Sequence, residues 1–105
     1  MAGKIPRSFT LMNRTWAVRF MTDEEAEIAD KAYGYCDPEN AEILLNPKQN
    51  REHLIHTYYH ELVHALFFAL GKNKLNRDED LVDAIGGAFH HYESTKEGSL
   101  TRGRK

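Results

Sequence analysis

Residues 51–70 read REHLIHTYYHELVHALFFAL, and this stretch decides the fold. At 100° per residue, Leu54, Tyr58, Leu62, Ala65, Leu66, Ala69 and Leu70 fill one apolar arc. That period predicts a helix over about 51–70, ended by Gly71. His53, His56, His60 and His64 lie in a stripe on the opposite side. Four of the six histidines in the chain therefore fall between positions 53 and 64.

Within the helix stands His60-Glu61-Leu62-Val63-His64, an HExxH motif. Residues four apart share a helix face about 6 Å along the axis. Both imidazoles therefore reach one ion at the ~2.0–2.1 Å of a zinc–nitrogen bond. Glu61 projects beside them, placed to act as a general base toward water without being a ligand. Leu62 and Val63 point into the core and keep the helix rigid behind the ligands.

A catalytic Zn2+ site takes three protein ligands and leaves one position open. The next predicted helix, about 78–93, offers Glu79 and Asp83 four apart on one face, with Gly86 a turn further on. Glycine there lets two helices approach closely. Glu79 is expected as the third metal ligand and Asp83 as a carboxylate orienting a ligand histidine's other nitrogen. Asp83 or Asp80 as the ligand are the alternatives, and Asp80 is turned about 100° from Glu79. Asn76-Arg-Asp-Glu79 also has the form of a helix-capping box.

The remaining histidines are assigned to polar faces. His53 is about 16 Å along the axis from His64, too far to share its ion. His56 lies one turn before His60, and a polar-face role is preferred to a place in the cleft. His90 and His91 are expected on the surface of the 78–93 helix. Cys36 reads as a small buried hydrophobe, and Tyr58 and Tyr59 as core.

Outward from these helices, Trp16, Val18 and Phe20 alternate with Ala17 and Arg19, a half-buried strand. Asn13-Arg14 is expected to turn a hairpin into it from Phe9–Met12. Thr22-Asp-Glu-Glu25 predicts a capped helix to about Ala32. Tyr35-Cys36 and Ala41–Leu45 read as strands flanking an Asp37–Asn40 turn. Lys72–Arg77 is a polar connection, and the later helix should bury Leu81, Val82, Ile85, Phe89 and Tyr92. The fold class is α+β: a small antiparallel sheet of two hairpins packed on a motif helix and a ligand helix.

The chain has 105 residues, enough for one domain, here 1–95, with a loose basic tail at 96–105. At 41% hydrophobic and 29% charged residues it can bury a core, which excludes wholesale disorder. The longest unbroken apolar run, Ala65–Leu70, is too short for a membrane span, and MAGKIPRSF has no signal-peptide core. One cysteine allows no internal disulfide and fits a reducing cytoplasm. Residues 1–20 and 96–105 are basic, with Lys4, Arg7, Arg14 and Arg19 at one end, while 21–95 carries −9. Without interleaved aromatics in the tail, these ends are read as solvated termini rather than a nucleic-acid surface.

The combination of Gly34-Tyr-Cys-Asp37, Ile43-Leu-Leu45, Thr57-Tyr-Tyr-His60-Glu-Leu-Val-His64-Ala-Leu66 and Glu79-Asp-Leu-Val-Asp83-Ala resembles small phage- and prophage-encoded zinc metallopeptidases, similar to ImmA/IrrE-type and, more distantly, SprT-like zincins. The resemblance covers about residues 9–93. It implies a minimal zincin-like domain with His60, His64 and Glu79 as zinc ligands and Glu61 as catalytic base. It also implies a peptide or protein substrate lying against the strand before the motif helix, here Ala41–Leu45. The chain lacks a Met-turn and the third histidine of an extended HExxHxxGxxH. The alternative function is a non-catalytic, metal-binding regulatory or interaction module on the same scaffold.

Overall fold

The computed structural model describes residues 5–103; Lys4 of the basic start and Arg104 and Lys105 of the tail lie outside them. Strand β1 (Ser8–Leu11) pairs antiparallel with β2 (Arg14–Phe20). The turn between them is Met12-Asn13, with φ of 49° and 68°, and Arg14 pairs with Leu11 inside the ladder. The turn thus falls one residue earlier than the expected Asn13-Arg14. A two-residue hairpin of this kind needs positive φ at both positions, which Asn tolerates and Arg does not favour.

Helix α1 (Asp23–Ile28) opens with the expected capping box: Thr22 Oγ1 accepts from Glu25 N, and Glu25 Oε1 accepts from Thr22 N. It is shorter than expected, because Asp30 and Lys31 take left-handed φ of 56° and 59°. Arg19 fastens it to the sheet, donating to both Glu25 oxygens at 2.9 and 2.7 Å.

Strands β3 (Gly34–Asp37) and β4 (Glu42–Leu45) form the second hairpin. The two hairpins join, but not as an antiparallel sheet. The order is β1-β2-β4-β3, and β2 and β4 run parallel, Val18 opposite Ile43. A parallel pair requires a long crossover, and residues 21–41, holding α1 and β3, supply it. Ile43, Leu44 and Leu45 are all buried, as suits an interior strand. The free edge beside the long helix is therefore β3, not the expected Ala41–Leu45 segment.

Helix α2 (Arg51–Ala69) is capped by Asn50, whose side chain accepts from His53 N. Its sheet side packs Leu54, Ile55, Tyr58, Tyr59 and Ala65 on Trp16, Val18, Ile43 and Leu45. Its other flank is covered too. Val63 and Phe67 pack on Val82, with Leu81 and Ile85 around them. The histidine stripe is consequently only partly exposed rather than open to solvent. Phe20 at the sheet's end and Leu70 at the helix's end overhang the core and stay exposed.

The 72–77 connection contains one helical turn, α3 (Asn73–Asn76), before α4 (Glu79–Thr95). Helix α4 buries Val82 fully and Leu81 and Ile85 partly, but Phe89 and Tyr92 are exposed, contrary to expectation. From Lys96 the described chain has no helix or strand. Among the described residues no helix is long and apolar enough to cross a membrane.

Candidate metal centre

Two helices and one turn bring the site together. His60 and His64 come from successive turns of α2, with ring centroids 5.1 Å apart. Glu79, the first residue of α4, points between them. Its Oε1 lies 3.3 Å from His60 Nε2 and 3.4 Å from His64 Nε2. The three donor atoms all fall within 4.8 Å of one another. Asp80 forms no ion pair with either histidine among the described residues.

The outer nitrogens are tied down. His60 Nδ1 is 3.1 Å from Asp83 Oδ1, and the same oxygen is 3.1 Å from His56 Nε2. Hydrogen bonds from His60 and His56 hold the Asp83 carboxyl below its usual range, so it is ionised and both ring nitrogens donate to it. His64 Nδ1 donates to Asn76 Oδ1 at 2.6 Å. With Nδ1 of each ring engaged in this way, Nε2 of each is the nitrogen turned toward Glu79. Three potential donor atoms thus converge within a few ångströms, and two imidazoles with one carboxylate suit Zn2+. The residues present fit that ion.

Glu61 occupies the crevice between α2 and β3, where only 8% of it is exposed. Burial raises its pKa above the ordinary carboxyl value; Glu79 adds to the rise, and His60 and His64 oppose it. The crevice exists because position 34 is glycine. A Cβ there would stand 2.6 Å from Thr57 Cγ2, 3.1 Å from Glu61 Cγ and 3.2 Å from Glu61 Oε2.

A cleft opens on each side of Glu61. One, of about 340 Å³, is lined by Tyr33, His53, His56, Thr57 and Asp83. The other, of about 280 Å³, is lined by Cys36, Pro38, Phe68 and Asn76. A roomier groove of about 630 Å³ runs past Tyr58, Leu62 and Phe89, away from the converging donors. Volume does not mark the chemistry here; the donors do.

Three placements differ from the sequence reading or were absent from it. His56, assigned to a polar face, lines the cleft and shares Asp83 with His60. His90, expected on the surface, stacks on Tyr59 at 5.6 Å with its side chain only 16% exposed, because α4 lies so close to α2. In the sequence Asn76 has only the form of a helix cap. Asp78 does the capping, accepting from Leu81 N, which leaves Asn76 free to hold His64. Its position just before the ligand helix was the one available signal. His53 bonds Gln49 at 2.6 Å, and His91 is exposed. Burial pushes the Cys36 thiol up to about 12, so it remains protonated and outside the donor group. No family model, curated protein or solved structure matches the chain, so a functional proposal rests on this geometry.

Proposed function

We propose that the chain is a zinc-dependent metallopeptidase on a minimal zincin-like domain, cleaving peptide or protein substrates with Glu61 as general base. The convergence of His60, His64 and Glu79 beside the buried Glu61 carboxylate supports this reading above all. When bound by these three side chains, Zn2+ supplies a Lewis acid that acidifies water and polarises a carbonyl.

The other work falls to the chain's own groups. Asp83 and Asn76 fix the tautomers of His60 and His64. Glu61 takes the proton from the attacking water and passes it to the leaving amine. Its raised pKa brings its proton affinity nearer neutral pH, where a base that must also give the proton back works best. The free edge of β3, which carries Gly34 beside Glu61, offers main-chain groups to an extended substrate. The lone, protonated cysteine suits a reducing compartment such as the cytoplasm.

Metal analysis of protein purified without added zinc, followed by proteolysis assays of wild type and Glu61→Gln, tests the proposal. The variant should keep its zinc and lose on the order of 10²–10⁴-fold in turnover. A variant that retains both zinc and proteolysis removes Glu61 from the mechanism. Loss of biological function in His60→Ala but not in Glu61→Gln would favour the interaction module instead.

A further inference from the structure

We propose that the cleft on the Cys36 side of Glu61 is a subsite for an apolar side chain adjoining the scissile bond. The preferred substrates are then peptides carrying a leucine-like, methionine-like or phenylalanine-like residue there. This rests on the peptidase reading above and narrows its substrate class.

The two flanks of Glu61 differ in chemistry. The flank on the His56 side is walled by His53, His56, Thr57 and Asp83, with the Tyr33 ring the one large aromatic hydrocarbon surface beside them. The opposite flank is walled by Tyr35, Cys36 and Pro38 from the β3 side and by Phe68 from α2. Apart from Glu61 and His64, which belong to the metal centre, its lining holds no acidic or basic side chain. The Asn76 carbonyl oxygen there is already occupied by His64.

Phe68 is the decisive wall. It follows His64 by four residues, so it continues the HExxH face by one more turn. It remains 39% exposed although large and apolar, and its exposed part faces the cleft rather than a core. From behind it is held by Trp16, edge-on at 6.3 Å and 78°, and Trp16 itself is 1% exposed. The wall is thus rigid, apolar and beside the base. At about 280 Å³ the cleft has room for a side chain rather than a whole drug-sized ligand.

Leucine hydroxamate and asparagine hydroxamate are suitable probes. They share a metal-binding head and offer isosteric apolar and polar side chains. Titrated calorimetrically into the zinc-loaded full chain, leucine hydroxamate should bind about tenfold tighter or better, the low end of what burying such a side chain gives. Phe68→Lys should abolish the preference and Phe68→Ala should reduce it, with zinc content and thermal melting checking that each variant is folded. If Phe68→Lys does not fold, Phe68→Ala decides. Equal affinities in the wild type, a preference that survives both substitutions, or binding of neither probe would overturn the subsite. Digestion of a random peptide mixture separates this from the parent reading. Cleavage with no apolar preference on either side of the cut overturns the subsite alone. Discrimination between the probes without any cleavage overturns the peptidase and supports the subsite as a ligand pocket.

Discussion

Gly86 rests on the backbone of His60. A Cβ added at Gly86 would stand 3.1 Å from both Cα and N of His60. The distance between the helix that supplies two histidines and the helix that supplies Glu79 is therefore set by a missing side chain. Gly86→Val should force α4 outward, at about 1–3 kcal/mol of stability as an overpacked contact. It should also weaken zinc binding by drawing Glu79 away from His60. Denaturant titrations with and without zinc check both effects, and unchanged zinc stabilisation would show that the helix spacing is immaterial.

The three acids at the start of α4, Glu79, Asp80 and Asp83, should separate cleanly by zinc affinity. Glu79→Gln removes a donor and should cost most. Asp83→Asn leaves the donors in place but loosens the His60 ring, which elsewhere costs about 10–100-fold. Asp80→Asn should leave affinity unchanged. Competition against a chelator of known affinity ranks them, and equal losses for Asp80 and Glu79 would contradict the observed geometry.

Asn76 should matter although it touches no metal. Asn76→Ala frees His64 Nδ1 and should lower zinc affinity by about 10–100-fold. Asn76→Asp keeps an acceptor at the same place and should restore most of it. Two-dimensional NMR of the imidazole nitrogens would report the His64 tautomer directly.

The Arg19–Glu25 pair sets an acid limit on stability. Hydrogen bonds from Arg19 lower the Glu25 pKa from 4.5 to about 2. On acidification the unfolded chain takes up this proton first, so the folded state loses ground as pH falls. The contribution is complete above about pH 4.5 and gone near pH 2. Glu25→Gln should flatten that part of the stability profile and leave its shape above pH 5 unaltered. Thermal melts across the range measure it. Glu25 is half-exposed at the surface, so the effect should shrink in high salt.

Much of this was legible in the residue order because it is local. The HExxH spacing, the Thr22 capping box and the Glu79–Asp83 face each follow from helical geometry within a few residues. What was not legible depends on partners distant in sequence. The parallel β2–β4 pairing turns on Val18 meeting Ile43, which no local pattern announces. Phe20 has the alternation of a buried strand residue, yet it is exposed beside its buried register partner Leu45. His56 and His90 look like surface residues until α4 is laid against α2. Asn76 satisfies a capping pattern that Asp78 takes over, and only the folded chain reveals which acceptor His64 finds.

The apolar grip on α4 is small: Val82 is its one fully buried large side chain, backed by Leu81 and Ile85 against Val63 and Phe67. All the donors and their supports, by contrast, lie within residues 56–83, a short loop of chain. An ion bound there would therefore act as a local clasp, and its loss need not reach the sheet. Amide hydrogen exchange should register this as two separately opening units. Chelation should accelerate exchange throughout α4 while β2 and β4 keep their protection, and a uniform rise across both would mean the molecule opens only as a whole.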